Sequence, residues 1–191
     1  MLDLPLKTVE NAPEESVSTL EAVEKAYGFV PNLIGTLANA PAAAKGYMAI
    51  SQAFASSSLT AVEQQVVLLT VSFENRCHYC VAAHTLAARA AGAEQATIDG
   101  LRDGNPLVDD RLEALRAFTT SVVRNRGWSP TNDVEAFLNA GFTPEQVLEV
   151  VTGVTQKTLS NYVNHLAATP LDDAFARAEW SHPAERAGSA V

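Results

Sequence analysis

Along most of this chain, apolar residues recur at the three-and-four spacing of a helical face, and no sustained apolar/polar alternation marks a strand. The first such segment runs from about Ser16 to Tyr27, with Leu20, Val23 and Ala26 in register and Gly28 placed to end it. A loop through Pro31 follows. Further helices are expected from Pro41 to Phe54, from Thr60 to Glu74, and from Arg76 to Ala91, where Gly92 stops the last. Thr60 and Glu63 have the form of a capping box, which defines that helix start.

The second half continues in the same manner. Shorter helical patterns near Glu94–Leu101, Asp109–Arg126 and Asn132–Ala140 are separated by loops at Asn105-Pro106 and Ser129-Pro130. Thr143-Pro144 then opens a long segment through about Ala168, with Thr143 as cap and Pro144 in the first turn. Asp172-Asp173 and the tail SHPAERAGSAV, residues 181–191, read as exposed, the tail as frayed. With no internal repeat and no low-complexity linker, the expected architecture is all-α: one helical bundle over residues 1–191 with its core between about 28 and 180.

A chain of 191 residues can bury a full core without disulfide or metal support, so covalent staples are unnecessary. Its net charge of -9 and pI of about 4.8, without any Lys/Arg-rich run, argue against nucleic acid as a partner. The most apolar run, Val66-Val67-Leu68-Leu69, is bounded by Gln65 and Thr70 and falls far short of the roughly 20 residues of a membrane helix. The N-terminal residues lack a basic region followed by a long apolar run, so no secretory signal and a cytoplasmic location are expected. In such a reducing compartment a C-x-x-C pair points to catalysis or metal binding rather than a permanent bridge.

Both cysteines lie in ENRCHYCVAAH, residues 74–84. With Asn75 as helix cap, Cys77 falls in the first turn, where free backbone N–H groups and the helix dipole stabilise a thiolate. At about 100° per residue Cys77, Cys80 and His84 share one face, whereas His78 is rotated away from it. That face holds an attacking thiolate, a resolving thiol and an imidazole to move protons, the parts of a thiol-redox cycle. Other readings stand beside it. A zinc site would need a fourth ligand, from His165 or a partner chain. Two cysteines can serve as small core residues, and a structural disulfide would close too short a loop to stabilise much. Asn161, Asn164 and His165 occur in the late helix, where Asn161 and His165 could share a face, and read as groups that satisfy buried backbone. Trp128 and Trp180 read as packing residues.

The pattern Val71-Ser72-x-x-Asn75-x-Cys77-x-Tyr79-Cys80-x-x-Ala83-His84 resembles the alkylhydroperoxidase D-like, carboxymuconolactone decarboxylase superfamily, in particular its peroxidase-related branch. Gly28-Phe29-Val30-Pro31-Asn32-Leu33, Ala140-Gly141-Phe142-Thr143 and Thr169-Pro170-Leu171-Asp172 extend the resemblance over roughly Gly28 to Trp180. It implies an all-α fold, homo-oligomers such as trimers or hexamers, and no cofactor or metal. It also implies a cycle in which Cys80 attacks a hydroperoxide, Cys77 resolves the sulfenic acid to a disulfide, His84 relays protons, and an external dithiol of lipoyl or thioredoxin type restores the thiols.

Two positions depart from that pattern. Gln65 stands where the relay glutamate is expected, and an amide can hydrogen-bond but cannot take up a proton as a carboxylate does. Glu74 is the nearest candidate substitute, whereas Glu63 should project from another side of its helix. Tyr79 replaces a histidine common in alkylhydroperoxidase D itself. The expectation is therefore a thiol-dependent peroxidase, with a protein disulfide reductase or a non-catalytic, redox-sensing stress-response subunit as alternatives. Lactone decarboxylation is disfavoured, because members with that activity generally lack the C-x-x-C pair.

Overall fold

The computed structural model describes residues 2–188, and among them every regular element is helical. The order is α1 Glu14–Tyr27, α2 Asn32–Leu37, α3 Pro41–Ala55, α4 Ala61–Glu74, α5 His78–Ala90, α6 Gln95–Asp103, α7 Asp110–Arg124, α8 Thr131–Asn139 and α9 Pro144–Ala167. A 3-10 turn, Asp173–Ala178, and α10, Pro183–Gly188, follow. Helix α4 is the hub, packed against α5, α7 and α9, while α3 lies along α9.

The local start signals act as their chemistry dictates. Thr60 Oγ1 accepts from the Glu63 amide and the Glu63 carboxylate accepts from the Thr60 amide. Thr143 and Gln146 close the same reciprocal box at the head of α9. Glu63 also receives Arg111 Nε at 2.8 Å, which ties α4 to α7.

Expected and observed boundaries part at one functional point. Helix α4 ends in a Schellman closure, with the Arg76 amide donating to Phe73 and the Cys77 amide to Ser72. Arg76 occupies the left-handed position, φ 54°, that glycine usually fills. Asn75 is therefore the C-cap of α4, not the N-cap of α5, and Cys77 is itself the N-cap of α5. This corrects the expected helix start at Arg76 and the placement of Cys77 within the first turn.

One helix was not expected, and three further expectations are corrected. Residues beyond Pro31 form α2, because its N-terminal amides are held: Asp172 accepts from the Asn32 amide, and Tyr79 Oη from that of Leu33. Asp172 is consequently buried instead of surface-exposed. The segment expected to fray contains α10, and His182 lies against the Phe73 ring; residues 189–191 fall outside the described part. Trp180 is buried beside Phe73, but Trp128 is 89% exposed and packs nothing into the core.

Two apolar clusters result. One, between α4, α7, α8 and α9, centres on Phe137 stacked between Phe118 and Phe142. Gly153 permits its closest approach: a Cβ there would lie 2.8 Å from Phe54 and from Val67. The other cluster, under α1, α2 and α3, includes Leu20, Leu33, Tyr47 and both cysteines.

Helix α9 carries an inverted pattern. Its buried side bears Gln146, Gln156, Lys157, Ser160, Asn161 and Asn164, whereas Leu148, Val151, Tyr162 and Leu166 face outward. No helix among the described residues is long and apolar enough to cross a membrane.

Candidate active site

The polar side of α9 faces the N-terminal end of α5. Cys77, at the N-cap, and Cys80, in the first turn, are each 1% exposed and both reduced. Asn164 bridges them: its Nδ2 donates to Cys80 Sγ at 3.3 Å and reaches Cys77 Sγ at 3.7 Å. Its Oδ1 is buried and finds no hydrogen-bond partner among the described residues. Ser160 Oγ lies 3.9 Å from Cys80 Sγ.

His84, one turn beyond Cys80, joins residues from three helices. Its Nδ1–H donates to Gln65 Oε1 of α4 at 2.9 Å, which leaves Nε2 as an acceptor for Lys157 Nζ of α9, also at 2.9 Å. Position 65 thus meets His84 through an amide. Burial first, and then the Lys157 charge, hold His84 well below the usual imidazole range, so the ring is neutral.

Lys157 is 1% exposed, and no ion pair among the described residues joins it to a carboxylate. Burial pulls its pKa down, but the negative form of Cys80, and then those of Tyr47 and Cys77, outweigh this and raise it above the ordinary lysine value. Cys80 shows the converse. Burial pushes its thiol up, yet the hydrogen bond from Cys77, the Lys157 charge, and hydrogen bonds from Ser160 and Asn161 bring it below the ordinary thiol value. Cys77 is driven up, first by sharing its proton with Cys80 and then by burial. These shifts favour Cys80 over Cys77 as the thiolate, the reverse of what a first-turn Cys77 suggested.

Several candidates fall outside this group. Glu74 is held by Arg124 at 2.7 and 3.1 Å rather than by His84. Tyr79 donates to Asp172 Oδ2 at 2.6 Å and thereby locks the chain near α2. His78 pairs at the surface with Glu185 at 2.8 Å. Asn161 accepts from Asn75 Nδ2 at 3.0 Å, while His165 is exposed, so these two do not line a common pocket. Among the described residues no three His, Cys, Asp or Glu side chains are grouped to hold a metal.

Sequence reasoning missed Lys157 and undervalued Asn164. The available signal was their two-turn spacing along α9, in register with Gly153 and Ser160.

Residues 41–105, which contain both cysteines, Gln65 and His84, match the carboxymuconolactone decarboxylase family. A solved alkylhydroperoxidase AhpD core, an uncharacterized peroxidase-related protein from Ralstonia eutropha JMP134, superposes with a TM-score of 0.80 at 24% identity, over 90% of this chain and 92% of that one. The fold is alkylhydroperoxidase D-like. An uncharacterized peroxidase-related protein from Silicibacter sp. TM1040 shares this alkylhydroperoxidase D-like fold at TM-score 0.77 and 22% identity, covering 91% and 92% of the two chains. So does the debrominase Bmp8, at TM-score 0.75 and 14% identity, covering 93% and 95%. No curated protein matches the chain.

Proposed function

We propose that the protein is a thiol-dependent oxidoreductase that reduces small hydroperoxides through Cys80 and Cys77. The observation that carries this reading is the asymmetry of the pair, with the Cys80 thiol lowered beside Lys157 and Cys77 held protonated next to it. Cys80 attacks the terminal peroxide oxygen to form a sulfenic acid, and Cys77 then displaces water from it to close a disulfide. Asn164 keeps both sulfurs in place through the cycle.

Burial favours this over the alternatives. Both sulfurs lie inside the second cluster, where a small peroxide is far easier to admit than a disulfide on a folded protein. The same argument selects a slender external dithiol, lipoyl-like, over a thioredoxin-like domain as reductant. A non-catalytic redox subunit draws its support from Gln65, yet Gln65 sets the His84 tautomer and so retains a part in the site. Free thiols accord with a cytoplasmic setting. Assembly into a homo-oligomer, a trimer or hexamer, would cover Leu148, Val151, Tyr162 and Leu166 on α9. Tyr162→Glu should then yield a smaller species by light scattering.

The test is stopped-flow oxidation with a panel of hydroperoxides, followed by dihydrolipoamide or thioredoxin. Both thiols should disappear stoichiometrically and return with dihydrolipoamide. Persistence of two free thiols under excess peroxide overturns the proposal.

A further inference from the structure

We propose that Lys157 is both the counter-ion of the Cys80 thiolate and the proton donor to the leaving alkoxide, with Gln65 and His84 as positioning residues that aim it. This deepens the thiol-peroxidase reading and, for the proton-transfer half, rests on it.

The geometry is specific. Lys157 is fully enclosed and bonded to His84 Nε2, a neutral acceptor that leaves the ammonium charge uncompensated. An isolated ammonium in such a place is costly, and of the groups whose negative forms act on it, Cys80, Tyr47 and Cys77, the Cys80 thiolate acts most strongly. Gln65 is what makes this pairing possible. As an amide it accepts from Nδ1–H, fixes Nε2 as the acceptor that holds Lys157, and brings no competing negative charge. The loss of the relay carboxylate and the presence of a buried lysine are then two halves of one arrangement.

Consumption of the thiolate triggers release of the lysine proton. When Cys80 attacks, a sulfur–oxygen bond forms and the oxygen–oxygen bond breaks, giving Cys80 sulfenic acid and an alkoxide. The ammonium has now lost its counter-charge, burial lowers its pKa, and it gives a proton to the alkoxide, leaving alcohol and neutral lysine. The Cys77 thiol displaces the hydroxyl as water and forms the disulfide. After an external dithiol reduces that bond, one thiol proton passes from Cys80 to the neutral amine and restores the ion pair. No stage carries a net buried charge.

The experiment has two arms. Thiolate ultraviolet absorbance is titrated against pH in a Cys77→Ser background with Lys157, Lys157→Met or Lys157→Arg, and single-turnover oxidation is measured with otherwise native cysteines and hydroperoxides of graded leaving-group basicity. Lys157→Met should move the Cys80 midpoint up by about one pH unit or more, a tenfold loss of thiolate. Its oxidation should also slow increasingly as the leaving group becomes more basic, a trend that the native protein does not show. Lys157→Arg should keep a low midpoint yet oxidise roughly 10- to 100-fold more slowly, because guanidinium holds its proton. An unchanged midpoint in Lys157→Met overturns the counter-ion. Native-like leaving-group dependence in Lys157→Met, or native-like turnover in Lys157→Arg, overturns the proton donor. If native thiols resist every peroxide while the Lys157→Met midpoint still shifts, the peroxidase reading fails and the counter-ion stands.

Discussion

The aromatic core beneath α7 and α8 and the thiol seam between α4, α5 and α9 share one hub helix, but different forces hold them. In the core, Phe118, Phe137 and Phe142 stack in an apolar interior where each ring removes hydrocarbon from water. In the seam, Lys157, Asn164 and two cysteines are enclosed, with His84 and Gln65 half-buried beside them, where an apolar set would be less costly. The core supplies stability, which the seam draws on to hold a charged, partly unsatisfied group. Asn164 Oδ1, buried without a partner, marks that cost.

The contrast breaks most clearly at Cys80. Cys80→Ser should abolish peroxide-driven disulfide formation outright; retained thiol loss would show that the seam is not the active centre. Phe137→Ala should do the reverse, costing about 3–5 kcal/mol in denaturant unfolding while activity per folded molecule persists.

A pH series sharpens the comparison. His84 has a folded pKa below its ordinary value of 6.5, so unfolding takes up a proton in acid. Its contribution to stability is present above pH 6.5 and is lost as pH falls toward the folded value, at no more than about 1.4 kcal/mol per pH unit. His84→Asn should flatten that acid limb, whereas Phe137→Ala should shift the whole curve without changing its slope. Smallest of all, Glu74→Gln should cost at most about 1 kcal/mol, since Arg124 is mostly exposed, and leave peroxide turnover intact. A large loss of turnover would return Glu74 to the relay.

Local chemistry in the chain was sufficient for much of this. The Thr60–Glu63 capping box, the Thr143 cap, most of the helix run, and the one-turn step from Cys80 to His84 follow from short-range spacing. The helix break at Arg76 was hidden because a positively charged side chain fills the left-handed site that glycine normally announces. Short α2 was hidden because its first amides are satisfied by Tyr79 and Asp172, residues remote in the chain.

Lys157 is the clearest case. Nothing in its local spacing shows that the Lys157 side of α9 is buried and that Leu148 and Leu166 are exposed. The sequence by itself determined most of the helices, the Thr60 and Thr143 caps and the close spacing of the two thiols, because those depend on neighbours within a turn. Which side of α9 is buried and which charged group lies beside the thiols were decided only when α4, α5 and α9 met. Burial and Coulomb energy depend on distances across the fold, and no local spacing encodes them.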